Sequence, residues 1–410
     1  MNLADNAMAT QLRDATGQDG ETVVCPSCAS GGTKLFYSVP NVPTNSCILF
    51  ETPEEAINCQ RGQVALHFCG DCGFIFNAGF DQSLTEYSDR YEETQGFSPT
   101  FSRFHRNLAA ELIERHGLKG RQVMEIGCGK GEFLVLLSQL GENTGIGVDP
   151  SAIPERLDGV EGAERVTLIP EYFEPRHCSD EPDFLCCKMT LEHIPQTASF
   201  IETIRAGLTE SHGTTVFFQI PETERILKLC SFEDIYHEHC SYFTESSLRR
   251  LFESCGFKVT RTAVEYDDQY LTIEAVPSSP QAQPSDDPAL AELAELVRTF
   301  PERVARHQEN WREIVREAKA QGQPVVLWGS GSKAVSFLTS LGFSDEIDFV
   351  TDINPNRHNH YMPGTGQLIV PPAELAKIKP GLVIVMNRIY EDENTSDLKE
   401  MGGSCKVECL

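Results

Sequence analysis

The stretch Val123-Met-Glu-Ile-Gly-Cys-Gly-Lys-Gly131 constrains this chain most. An apolar strand with an acidic residue near its end opens into three alternate glycines, and a helix-like run, Glu132–Leu140, follows. Asp149, 18 residues after Gly131, closes the next strand-like run, Gly145-Ile-Gly-Val-Asp149. Strand, glycine turn, helix and a second strand ending in a carboxylate make the first half of a doubly wound α/β nucleotide site, where the carboxylate takes two ribose hydroxyls. The expected ligand carries an adenosine-like ribose.

The glycine spacing narrows the ligand further. A dinucleotide fingerprint needs Gly-x-Gly-x-x-Gly, with pyrophosphate on the helix N-terminus. Here the spacing is Gly-x-Gly-x-Gly, and Glu125 puts a negative charge beside the turn. That charge disfavours pyrophosphate and suits the ammonium of a methionyl group. The segment resembles motif I of the class I S-adenosylmethionine-dependent methyltransferases. The resemblance implies a cofactor site of Glu125, Gly127, Cys128, Gly129, Gly131 and Asp149. Lys188, near the end of a later strand, can add its backbone carbonyl.

At 410 residues the chain exceeds the size at which one core usually stops growing. Its 61 acidic against 34 basic side chains give a net charge of -27, which weighs against nucleic acid and anionic membranes as partners. No signal-peptide pattern and no apolar run near 18 residues is present, so a soluble cytoplasmic protein is expected.

The 15 cysteines are odd in number and scattered, a poor disulfide framework. Four stand apart. Cys25-Pro-Ser-Cys28 and Cys69-Gly-Asp-Cys72 are two Cys-x-x-Cys knuckles separated by 40 residues, the pattern of one tetrahedral zinc. Four thiolates leave no position for water, so the zinc is expected to be structural; redox dithiols or unrelated buried pairs are the other readings.

Composition and periodicity divide the chain into a leader over 1–20, a zinc-binding module over 21–78, an α/β core over 79–276, a linker and connecting helix over 277–320, and a C-terminal α/β unit over 321–410. The linker is Pro277–Pro288, the helix runs Ala289–Ala320 through Pro301, and Met401–Leu410 look frayed. Trp328-Gly329-Ser-Gly331-Ser-Lys333 and Phe349-Val-Thr-Asp352 repeat the strand, glycine turn and carboxylate arrangement. A second cofactor site, a cradle for the phosphates of a nucleotide-linked substrate with Lys333 nearby, and a purely architectural fold all remain open.

The chemistry is expected beyond the carboxyl ends of the core strands. Asp183–Ile194 runs from an apolar strand into a turn bearing Glu192 and His193. Asp234-Ile-Tyr236-His237-Glu238-His239-Cys-Ser-Tyr242 packs titratable groups densely before the helix-like Ser246–Ser254. Three readings stand: a metal site at His237-x-His239, a packed polar turn, or a base cluster in which Glu238 orients an imidazole poised near neutrality. The base cluster is preferred. Adjacent residues on an extended strand point opposite ways, so Glu238 beside His239 requires a turn or another partner for Glu238.

Taken in order, the paired knuckles, Tyr87-x-x-x-Tyr91, motif I, Leu191-Glu-His-Ile194, Tyr236-x-Glu238-His239 and the C-terminal glycine turn resemble the three-domain sugar C-methyltransferases. The resemblance implies methylation of a carbon next to the ketone of a nucleotide-linked deoxysugar, typically TDP-linked. It makes His239 the general base, with Glu238, Tyr236, His193 and Tyr91 around it. His237 is an added histidine able to share that role, and Val39–Arg61 is an insert in the zinc module. The rival expectations are an O- or N-methyltransferase on another small metabolite and a zinc-dependent binding module without chemistry.

Overall fold

The computed structural model describes residues 22–85, 90–92, 94–281, 287–401 and 405–410. The proposed leader, Tyr87 and residues 282–286 of the Pro277–Pro288 linker lie outside them. The described residues form three sheets.

The central sheet has seven strands in the order Phe257–Glu265, Tyr270–Pro277, Thr215–Pro221, Phe184–Lys188, Gln122–Ile126, Thr144–Val148, Val166–Ile169. The first three are antiparallel neighbours and the rest run parallel. Strands covered on both faces read as continuous apolar runs, and Phe184-Leu-Cys-Cys187 is fully buried. The covering helices start and stop where local chemistry allows. Pro99–His116 is capped by the Ser98 side chain on Phe101 N, carries Pro99 in its first turn, and ends at Gly117 with φ 63°. Glu132–Gly141 starts at Gly131, whose φ of 77° favours glycine.

The N-terminal sheet is antiparallel: Thr33–Pro43, Arg61–Cys69, Ile75–Asn77, then Ser241–Tyr242. Its last strand belongs to the histidine-rich segment, so that segment is stitched to the cysteine module by backbone pairing. The C-terminal sheet is parallel, in the order Ile369–Val370, Phe349–Thr351, Val325–Trp328, Leu382–Val385, Lys406–Cys409. The end of the chain, expected to fray, instead pairs as the edge strand, with Val407 opposite Val383.

The helix Pro288–Ala320 continues through Pro301 and is more than a connecting arm. Leu293, Val297, Phe300, Val304, Trp311, Val315 and Ala318 recur at helical spacing and are buried. Phe300 packs edge-on against Phe36 and Tyr37 of the N-terminal sheet, while Trp311 meets Phe337 of the C-terminal unit. One apolar core therefore runs through both. Among the described residues no helix is long and apolar enough to cross a membrane.

Candidate active site

Central strand ends, loops of the N-terminal module and the C-terminal glycine turn line a shared cavity of about 1030 Å³. The central glycine turn forms one wall. Gly127 has φ 70°, and a Cβ there would stand 2.1 Å from Thr190 Oγ1, so backbone and neighbouring turn meet only because the residue is glycine. Asp149 Oδ2 accepts from Gly129 N at 2.9 Å and Oδ1 from Ser151 N at 2.7 Å, holding the acidic group at the mouth of the turn. Glu125 is 3% exposed, and its Oε2 has no hydrogen-bond partner among the described residues. Burial lifts its carboxyl to about 7, although Lys188 opposes the shift. The Lys188 carbonyl accepts from Thr190 Oγ1 at 3.0 Å, and the residue also lines the cavity.

The histidine-rich segment forms the opposite wall, and it is an irregular turn. Tyr236 Oη lies 2.9 Å from His239 Nε2, with ring centroids 4.1 Å apart. His193 stands edge-on to His239 at 4.9 Å, and its Nδ1 donates to the Glu238 carbonyl at 3.1 Å. Burial holds His239 well below the usual imidazole range, helped by His193, and lowers His193 as well. Glu192 is 1% exposed with both carboxyl oxygens unpartnered among the described residues, and burial raises it to about 8.

Glu238 is corrected by its geometry. Its carboxylate points away from the His239 ring and accepts from Ser46 N at 2.7 Å, Ser46 Oγ, Asn45 Nδ2 at 3.3 Å and Tyr91 Oη at 2.9 Å. The turn at His237–Glu238 sends the two groups to different partners. His237 leaves the site altogether. Its Nδ1 meets the Gln63 carbonyl at 2.9 Å, and its ring packs on Phe80 behind the cavity. The insert Val39–Arg61 supplies what the sequence did not announce: Asn45 and Ser46 on Glu238, and Cys47 on the cavity wall.

The C-terminal unit closes the third side with Trp328, Gly329, Gly331, Ser332, Lys333 and Arg357. Lys333 is bound to Asp234 Oδ1, and Arg225 takes the other oxygen at 2.5 Å. Arg357 donates to the Ser330 carbonyl at 2.9 Å and to the Glu92 carbonyl, while Lys130 reaches the Glu92 carboxylate at 3.0 Å. Away from the cavity, Cys25, Cys28, Cys69 and Cys72 bring four sulfurs within 4.8 Å of one another. Cys25 and Cys72 stand 3.7 Å apart, Cys28 and Cys69 3.6 Å.

Comparison with known proteins gives two family matches. Residues 101–262 match the methyltransferase domain family, and residues 285–405 match the C-methyltransferase C-terminal domain family. The C-methyltransferase NovU of Streptomyces niveus is 29% identical over 323 residues, 73% of this chain and 74% of that protein. The chain belongs to the S-adenosylmethionine-dependent C-methyltransferases. It is an enzyme, S-adenosylmethionine is its methyl donor, and its acceptor is a small molecule. A ubiquinone biosynthesis O-methyltransferase of Aromatoleum aromaticum is 28% identical over 196 residues, 43% of this chain and 81% of that protein. Magnesium protoporphyrin IX methyltransferase (ChlM) from Synechocystis PCC 6803, solved with bound SAH, has 17% identity and a TM-score of 0.35 over 44% of this chain and 84% of that one. The residues at the central turn fit the donor: an orphaned buried carboxyl oxygen at Glu125, a glycine cradle and the Asp149 carboxylate.

Proposed function

We propose that the protein methylates the carbon next to the ketone of a nucleotide-linked deoxysugar. The observation that carries this reading is the Tyr236 and His239 pair, which lines the cavity also reached by both glycine turns. In this reading Asp149 and the Gly127–Gly131 turn hold the nucleoside of S-adenosylmethionine. The cofactor supplies a methyl group on a sulfonium, already an activated electrophile.

The residues have to create the nucleophile. A neutral His239, kept so by burial, accepts the α-proton at Nδ1 while Nε2–H donates to Tyr236. Tyr236 then keeps its own proton to hydrogen-bond the oxyanion that develops as the C–H bond breaks. His193, locked through Nδ1 on the Glu238 carbonyl, fixes the face of the His239 ring. Glu238 and Tyr91 act one step removed, tying residues 45–46 to the histidine turn and closing the cavity on the substrate side. The C-terminal turn, with Ser332 at the start of Ser332–Leu341, faces the same space and suits the phosphates of the acceptor.

The four cysteine sulfurs fit a structural zinc, which would staple the knuckles under the N-terminal sheet without taking part in chemistry. Metal analysis should return one zinc per chain, absent from Cys28→Ser; a zinc-free protein of full stability would refute it.

The test of function is mass spectrometry of the protein incubated with S-adenosylmethionine and a panel of nucleotide-linked keto sugars. The expected result is a product one methyl heavier, with deuterium washing into the acceptor C–H in D₂O. Methyl transfer to a hydroxyl, with no such exchange, would contradict the carbon-acid reading.

A further inference from the structure

The short helical turn Leu191–His193 and the histidine-rich turn are fastened to each other along their backbones. Cys240 N donates to the Glu192 carbonyl at 2.8 Å, His193 Nδ1 to the Glu238 carbonyl at 3.1 Å, and Ser241 Oγ to the Ile194 carbonyl at 2.8 Å. Held this way, Glu192, His193 and His239 each present a ligand atom on the cavity, all within 4.8 Å of one another. The Glu192 carboxyl is 1% exposed, and neither oxygen has a hydrogen-bond partner among the described residues. A buried acid without hydrogen bonds carries a desolvation cost that nothing offsets. A cation beside it would offset that cost.

The donor set says which cation. His193 donates from Nδ1, which places its lone pair on Nε2, and His239, with Nε2–H on Tyr236, carries its own on Nδ1. Hydrogen bonds from the other ring nitrogen to a carbonyl and a phenol oxygen are the outer contacts that orient metal-bound imidazoles. His237, the partner that spacing suggested for His239, is turned to Gln63 and is not in the set. Two imidazoles and one carboxylate suit a borderline divalent ion such as zinc, cobalt or nickel, whereas magnesium and calcium take oxygen ligands. Small side-chain movements bring three such donors to about 2.1 Å from one ion, and three protein ligands leave a position open toward the cavity.

We propose that Glu192, His193 and His239 form a metal site for a borderline divalent transition ion, separate from the four cysteines, and that an ion seated there silences the enzyme. The silencing rests on the reading of His239 as the base, because coordination takes the Nδ1 lone pair that accepts the α-proton. The binding itself needs only the three donors. The ion is thus an inhibitor of this site and not its cofactor.

Cobalt(II) added to the full chain as purified is the probe, because its spectrum reports its ligands. The expected result is one cobalt per chain beyond the purified metal content, with the weak visible bands of nitrogen and oxygen ligation and without the near-ultraviolet thiolate band that exchange into the cysteines gives. Glu192→Gln should weaken this binding by more than the roughly ten- to hundredfold typical of losing an outer contact. Turnover of the parent should fall along the same cobalt titration curve. No additional cobalt, cobalt with thiolate bands only, or affinity unchanged in Glu192→Gln would overturn the site; turnover unaffected or raised by the bound ion would overturn its inhibitory role. Should Glu192→Gln fold poorly, His193→Gln reads the same ligand set, and unchanged cobalt affinity there overturns the site equally. Failure of the sugar-methylation reading looks different: cobalt would still bind in a manner dependent on Glu192, while no keto sugar gained a methyl even without it.

Discussion

The central and C-terminal glycine turns are built alike and equipped differently. In each, the carboxylate ending the second strand accepts an amide of the turn: Gly129 N on Asp149 at 2.9 Å, Ser330 N on Asp352 at 2.8 Å. In each, the other oxygen accepts the amide two residues on, Ser151 N at 2.7 Å and Asn354 N at 2.8 Å. The flanking positions diverge. Two residues before the first glycine stands Glu125 in one and Leu327 in the other; opposite that glycine, on the neighbouring strand, stand Lys188 and Met386. Leu327 and Met386 are buried apolar side chains. Strand, turn and carboxylate are thus shared by the two units, and what differs is the charge of the side chains beside the turn.

The comparison can be pressed at the space between the turns. His239 lies there, so His239→Gln should lower turnover by roughly two to four orders of magnitude, the range of a lost general base. Cofactor affinity at the central turn should stay within about twofold. Loss of affinity together with turnover would blur the division between donor site and acceptor site.

A smaller effect sharpens it. Glu192 follows the Lys188 strand and is buried with its pKa raised to about 8. The folded protein therefore holds a proton that the unfolded chain releases at ordinary carboxylate pKa, so this contribution is full at acid pH and fades as pH rises toward about 8. Glu192→Gln should melt higher than the parent by an amount that grows between about pH 5 and pH 8. A constant difference across that range would mean that Glu192 is not the titrating group.

Legibility in the sequence follows the range of the interaction. Gly127, Gly129, Gly131 and Asp149 are readable because a tight turn imposes local spacing, and the cysteines because each knuckle supplies two ligands three positions apart. The scaffold of the C-terminal unit is readable for the same reason. The partners of Glu238 are not: Asn45 and Ser46 lie nearly two hundred residues upstream and carry no motif. His105 on Lys188 and Arg357 on Glu92 likewise join distant segments of ordinary composition. The separation of His237 from His239 depends on the turn geometry, which leaves one ring behind Gln63 and the other on the cavity. The C-terminal strand Lys406–Cys409 is not legible because its partner, Leu382–Val385, lies across a helix.

The most direct measurement is the stoichiometry of S-adenosylhomocysteine binding by calorimetry on the full chain, repeated for Asp149→Ala and Asp352→Ala. The account predicts one site per chain, weakened roughly ten- to hundredfold by Asp149→Ala through the lost ribose acceptor and unaffected in affinity by Asp352→Ala. Two sites per chain, or a single site that survives Asp149→Ala and disappears in Asp352→Ala, would contradict it.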